Sequence, residues 1–210
     1  LKLTGTQSSP FILSAVLGNI GHFGIPIALL TFGKTADAPA ILIYVVSAVF
    51  VNTIGILIAS KGGKDWVDSF KSLLKMPTVY AAIIGILFNY SAVTVPEIFY
   101  TAIDMLADAA IPMMILFLGA QLASSSISMR NIRLVLAGSL LRLIAAPLVA
   151  AVLAFYVLPL SQALASIFIA MMAMPTAANA TILAVEFDND TDITAGITVF
   201  TTICSFITIP

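Results

Sequence analysis

The sequence predicts an all-α integral membrane protein with about seven transmembrane helices. Two observations favour this class over a water-soluble domain. Hydrophobic residues make up 60% of the chain and charged residues 9%, whereas soluble domains contain about 25% charged residues. Most apolar stretches are also close to the roughly 20 residues that a helix needs to cross the hydrocarbon core. Lipid must therefore cover most of this apolar surface.

Turn formers or charged residues separate most of the predicted spans. The segment 61–75 is different, because Trp66 and Phe70 share a helical face that excludes Lys64 and Lys71. This pattern predicts a short amphipathic helix in the headgroup region. The third span is the shortest. The predicted spans are 10–33, 38–60, 76–92, 98–123, 131–158, 161–186 and 192–210.

Basic residues set the predicted orientation. If the spans are correct, seven basic residues lie on one side of the membrane and Lys34 lies on the other. Because cytoplasmic loops are rich in Lys and Arg, we expect a multi-pass protein of the plasma (cytoplasmic) membrane with its N-terminus in the cytoplasm and its C-terminus outside. The chain begins at Leu1 rather than Met, so we also expect a fragment or a processed form. The seven residues are Lys2, Lys61, Lys64, Lys71, Lys75, Arg130 and Arg133.

Composition also argues against several function classes. The net charge is −1, so there is no basic footprint for nucleic acid. The single cysteine, Cys204, excludes an intrachain disulfide and a cysteine metal cluster. One histidine and one cysteine on distant spans make a poor basis for an intramembrane enzyme. We therefore expect neither catalysis nor a metal site.

The first and sixth spans contain helix breakers near mid-membrane. Residues 18–26 hold three glycines at a spacing of three and end in Pro26, and residues 174–179 hold Pro175. Proline removes a backbone donor and clashes with the preceding turn, and glycine weakens helices. Irregular backbone at this depth must be surrounded by protein or a wet cavity. The alternative for each span is a proline kink with glycines that allow close packing.

The two interrupted spans share a context. Each interruption is followed by an apolar stretch that ends in a phenylalanine (Phe32 or Phe187), then by a short charged link and one more span. They are five spans apart, so they run in opposite directions. This arrangement is typical of inverted-repeat transporters, in which two discontinuous helices cross at the bilayer midplane. Asn19 and Asn179 suit a site there, because an amide donates and accepts hydrogen bonds without a charge.

Ordered motifs extend this pattern into a family resemblance. The stretches GNIGHFGIPIALLTFG, ADAAIPMMILFLGAQLA, MPTAANATILAVEFDND and TVFTTICSFITIP resemble helices of the auxin efflux carrier family. The resemblance implies a fold of two inverted five-helix repeats, of which this chain would hold helices four to ten. It also implies secondary transport of small organic anions such as auxin, malate or malonate, coupled to protons or sodium or driven by the potential. His22 departs from the usual motif, which leaves substrate and coupling open.

The resemblance also implies a division of the chain and its partners. Residues 1–60 and 126–210 would belong to the transport domain, 61–75 to the interfacial helix, and 76–125 to scaffold-like helices. The expected partners are the lipid bilayer and the organic anion; a homodimer is left open. No cofactor is expected besides a coupling proton or sodium ion. The predicted substrate or ion site comprises Asn19, Gly21, His22, Gly24, Pro26, Pro175 and Asn179.

Asp104, Asp108 and Arg142 lie well inside predicted spans, where a charged residue costs at least ~2.5–3.5 kcal/mol on insertion scales. Asp104 and Asp108 are one helical turn apart, and Asp108 and Arg142 lie at similar depths of roughly 15 and 16 Å. We therefore predict an ion pair between Arg142 and one of the two acids, with a proton-relay carboxylate as the alternative. His22 is either a titrating group or a packing residue. Asn52 and Gln121 are candidates for an exit path.

Three other functions remain as alternatives to an organic anion carrier. A carrier like the bile-acid sodium symporters would share the fold and require sodium for uptake. A channel would show flux without saturation. An intramembrane enzyme would need a nucleophile with a base, or a metal cluster.

Overall fold

The computed structural model of the chain describes residues 5–60, 77–91, 96–124 and 131–209. The regular elements in these ranges are helices, joined in places by π-helical turns at 20–24, 51–55, 141–145 and 153–157. This agrees with the predicted all-α membrane fold. The α-helices are α1 (Gly5–Val16), α2 (Ile25–Phe32), α3 (Asp37–Phe50), α4 (Ile56–Ala59), α5 (Pro77–Ser91), α6 (Glu97–Ser124), α7 (Ile132–Leu140), α8 (Ala146–Val152), α9 (Gln162–Met172), α10 (Ala178–Glu186) and α11 (Thr191–Thr208).

Four stretches of these helices are long and apolar enough to cross a membrane. The longest is divided at Gly33, whose positive φ of 63° separates α2, in the first predicted span, from α3, in the second. The predicted span 76–92 is α5, whose 15 residues fall short of the roughly 20 that a perpendicular span needs. The predicted amphipathic helix at 61–75 lies outside the described residues. The four stretches are Ile20–Ala59, Glu97–Phe117, Ile132–Val157 and Thr191–Thr208.

Both predicted helix breaks are present. The α-helical pattern stops after α1 and resumes at the π-turn 20–24, and it stops after α9 and resumes at α10. Pro175 lies within the second break, and Pro26 lies at the start of α2, directly after the 20–24 turn. The proline-kink alternative is therefore wrong for both spans, because several residues at each break leave the helix.

The two breaks cross and pair with each other. The backbone N–H of Asn19 donates to the carbonyl of Pro175 at 2.7 Å, and that of Ala177 donates to Leu17 at 2.9 Å. These bonds flank an antiparallel bridge between Gly18 and Thr176. Strand-like pairing satisfies backbone groups that the breaks release from the helices. The predicted crossing of two discontinuous helices is confirmed.

Each half of one broken helix packs against the opposite half of the other. α1 contacts α10, and α2 contacts α9. A buried apolar cluster lies on each side of the crossing: one joins α1, α4 and α10, and the other joins α2, α3 and α9. α6 contacts mainly the 20–24 turn and α2, and its described side chains are largely exposed. The crossing is thus the packed centre of the described chain.

Candidate functional site

A small cavity of about 90 Å³ lies at the crossing. Residues around both breaks line it, together with α3, the 51–55 turn and one residue of α6. Four of the predicted site residues line this cavity, namely Asn19, Gly21, His22 and Asn179. Broken backbone from two helices therefore meets the side chains of Asn19, Asn52 and Asn179 in one place.

Asn19 is the most deeply buried polar residue of this cavity. It is 4% exposed, and its side chain does not cap the following turn. Its backbone is fully used, because its N–H donates to Pro175 and its carbonyl accepts from Gly24 at 2.9 Å. Its side-chain amide forms no hydrogen bond with the described residues, and its amide atoms are not among the fully buried unpaired ones, which is consistent with access to the cavity. The side chain is therefore free to bind a ligand in the cavity.

Asn179 approaches the cavity from the second broken helix. It lies in the first turn of α10, together with Ala178, and it is exposed. The first N–H groups of a helix lack intrahelical partners and carry partial positive charge. Asn52 lines the cavity as well and donates to its own helix at Ala48, which leaves its amide oxygen available. The site thus presents amides and a helix N-terminus rather than carboxylates.

Aromatic side chains form part of the cavity wall. The rings of His22 and Phe117 stack with centroids 4.5 Å apart. Tyr44 lies against Gly21, where an added Cβ would stand 2.7 Å from the tyrosine ring. Gly21 therefore allows the ring to approach the backbone. The stack also connects the first crossing helix with α6.

The other three predicted residues do not line the cavity. Gly24 is buried against the second break, where a Cβ would lie 3.3 Å from Met174 Cγ. Pro26 is buried at the start of α2. Pro175 is buried within the second break and offers its carbonyl to Asn19. These residues shape the crossing rather than face a ligand.

The predicted ion pair of Arg142 is wrong. Within the described chain, no salt bridge joins Arg142 to Asp104 or Asp108, and both acids are exposed on α6. Arg142 is 2% exposed and its guanidinium donates to three backbone carbonyls of the crossing. The prediction relied on equal depth, but depth does not decide which faces of two helices meet. Carbonyls released by the breaks take the place of the carboxylate.

Sequence reasoning missed Tyr44, Ser47 and Phe117 as lining residues. A signal existed for the first two: with Asn52, they place polar groups on neighbouring positions of one helical face in an otherwise apolar span. No signal in the sequence pointed to Phe117, because aromatic residues are common in apolar helices. Asn52 was predicted for an exit path and lies in the cavity itself. The side chain of Gln121 is outside the described part.

The profile of the family described as "Membrane transport protein" matches residues 67–210. The chain belongs to this family. The predicted resemblance to the auxin efflux carriers is thereby confirmed.

Curated relatives agree with this family. An uncharacterized transporter of Methanothermobacter thermautotrophicus is 28% identical over 200 residues, which cover 94% of this chain and 65% of the relative. One of Methanocaldococcus jannaschii is 26% identical over 130 residues, which cover 60% of this chain and 42% of the relative. The chain thus spans less than two thirds of the length of the curated relatives it matches. No solved structure matches it.

Proposed function

We propose that the chain forms part of a secondary transporter for small organic anions, with the substrate bound in the crossing cavity. Asn19 and Asn179 would bind the substrate carboxylate. The observation that carries this proposal is the convergence of the unpaired Asn19 amide with the Asn179 amide and a helix N-terminus in one cavity. The chain would have a transport role and no catalytic one.

Electrostatics support an anionic substrate. Arg142 lies directly behind Gly18, where its guanidinium carbon would stand 2.7 Å from a Cβ added to the glycine. Gly18 itself lines the cavity. A buried positive charge this close, in a medium of low dielectric, favours an anion. The N-terminus of α10 adds to the same potential.

The size of the cavity supports a compact substrate. Its volume of about 90 Å³ is small beside the roughly 300–1,000 Å³ of pockets for drug-sized ligands. A mono- or dicarboxylate such as malonate or malate fits this volume better than an indole acid. In this proposal, the crossing helices move the substrate as a transport domain, and α5 and α6 belong to the scaffold. The N-terminus of the chain faces the cytoplasm.

Equilibrium binding to the purified full-length protein tests the proposal. The ligands are malonate, malate and indole-3-acetate, and the variants are Asn19→Ala and Asn179→Ala. Each variant removes hydrogen bonds to a charged group, which are worth about 1.5–3 kcal/mol, so affinity should fall roughly 10- to 100-fold. Malonate or malate should bind more tightly than indole-3-acetate.

Asn131→Ala is the matched control, because Asn131 lies at the start of α7, away from the cavity lining. It should bind like the parent protein. If both cavity variants also bind like the parent, the carboxylate site lies elsewhere. The asparagines would then have a structural role at the crossing.

A further inference from the structure

Arg142 has an unusual environment for a charged residue in a membrane helix. It is buried, and its Nε donates to Met174 O at 2.8 Å, one terminal nitrogen to Met172 O at 2.7 Å and the other to Val16 O at 3.1 Å. Two of these carbonyls belong to the second broken helix and one to the first. None of the acidic side chains in the described ranges forms a salt bridge with Arg142. The positive charge is therefore held by backbone alone.

The three acceptors are the carbonyl ends of broken helices. Val16 is the last residue of α1, Met172 is the last residue of α9, and Met174 lies within the second break. The last carbonyls of a helix lack intrahelical partners and carry partial negative charge. In carriers with discontinuous helices, such carbonyls coordinate the coupling sodium ion. The geometry around Arg142 is thus that of a cation site.

The site is shaped for a guanidinium group. Its terminal nitrogen lies so close to Gly18 that any side chain there would displace it. The planar guanidinium offers several donors in a fixed fork, which lets one side chain bind acceptors from both helices at once. The cation is part of the protein and cannot leave during a transport cycle.

We infer that Arg142 is a tethered cation that occupies the place of a soluble coupling ion, so that the crossing requires no sodium. This inference rests on the proposed function, because it takes the crossing to be the transport site. The guanidinium holds the carbonyl ends of α1 and α9 together. The start of α10 and the side chain of Asn19 remain free for an anion on the other side of Gly18. When a monovalent carboxylate is bound, the positive charge of Arg142 balances the negative charge of the substrate.

Thermal unfolding of the purified full-length protein tests this without any substrate. Midpoints are compared in sodium chloride and choline chloride at equal ionic strength, for the parent, Arg142→Met, Arg142→Lys and the control Arg133→Met. Arg133 is an exposed residue at the start of the same helix. The parent and Arg133→Met should unfold at the same temperature in both salts.

Arg142→Met should unfold at least roughly 5 °C lower, because it leaves the carbonyls without a partner. Sodium chloride, or a few millimolar guanidinium chloride, should restore part of this loss. Arg142→Lys keeps the charge, so it should fold with an intermediate midpoint and without a sodium effect. If Arg142→Met yields no folded protein, Arg142→Lys and the parent still decide the matter.

Three results would overturn the inference. The first is a saturable, sodium-specific stabilisation of the parent, which would indicate a soluble ion at the crossing. The second is parental stability of Arg142→Met, and the third is a lysine variant as unstable as the methionine variant, or unfolded. The carboxylate binding experiment is separate, so failure of the proposed substrate site would leave these salt measurements decisive for the cation.

Discussion

The two breaks occupy equivalent places in the fold but contribute different chemistry. The first break supplies small residues and an amide: Gly18 admits the guanidinium, Gly21 admits Tyr44, and Asn19 lines the cavity. The second broken helix supplies two of the three carbonyls that bind Arg142 and a hydroxyl, since Thr176 donates to α1; the first supplies the third carbonyl. The two breaks therefore occupy equivalent positions in the fold and yet carry different chemical groups. Arg142 and Tyr44, from neighbouring helical segments, fill the space beside Gly18 and Gly21.

This asymmetry separates support from binding. Thr176 is fully buried, and its hydroxyl donates a hydrogen bond to Ser14 O at 2.8 Å. Asn19 is almost as buried, yet its side chain forms no bond with the described residues. The second break thus stabilises the crossing, whereas the first keeps an unpaired polar group at the cavity. Changes at the two breaks should have distinct effects on the free energy of unfolding.

The largest effect is expected for Gly18→Ala in the first break. The new methyl group would displace the guanidinium of Arg142 and leave buried carbonyls unpaired. We expect a loss of about 3–5 kcal/mol in the free energy of unfolding, by analogy with breaking a buried pair. Denaturant unfolding of the full-length protein measures it. Gly55→Ala is the control, because its nearest neighbour would be at an ordinary 3.5 Å from the new Cβ. Equal stability of the two variants would contradict the close approach.

A smaller effect is expected for Thr176→Val in the second break. The change keeps the shape but removes the donor to Ser14, so a buried carbonyl loses its partner, at a cost of about 1–3 kcal/mol. Thr198→Val is a matched control, because the Thr198 hydroxyl is buried without a partner among the described residues. That variant should be as stable as the parent or more stable. If both valine variants lose the same stability, the hydroxyl bond does not hold the breaks together.

The smallest effect is expected at the contact between the first break and α6. Phe117→Leu removes the ring that stacks on His22 and should cost about 0.5–1.5 kcal/mol beyond the lost apolar contact. Phe99→Leu, an exposed position on the same helix, should stay within about 0.5 kcal/mol of the parent. Unfolding of both variants in parallel provides the comparison. An unaffected Phe117→Leu would show that the stack does not couple α6 to the crossing.

Composition and local breakers were sufficient to predict several features of this protein. The apolar fraction and the length of the stretches predict a helical membrane protein, because the bilayer sets both. Pro175 and the glycines near Pro26 predict where the helices stop, since they act on their own turn of backbone. The crossing could also be predicted, because broken backbone in lipid needs a partner and each break offers one to the other.

The partner of Arg142 and part of the cavity wall were decided by tertiary structure. Arg142 lies 30 residues from Met172 and 126 from Val16 along the chain. No local pattern indicates which helix face meets these carbonyls. Equal depth suggested Asp108, but α6 packs against the 20–24 turn and α2, whereas the 141–145 turn that holds Arg142 packs against α1 and α11. Breakers and apolar lengths act locally and can be read from sequence, whereas the partner of a buried charge depends on how distant helices pack.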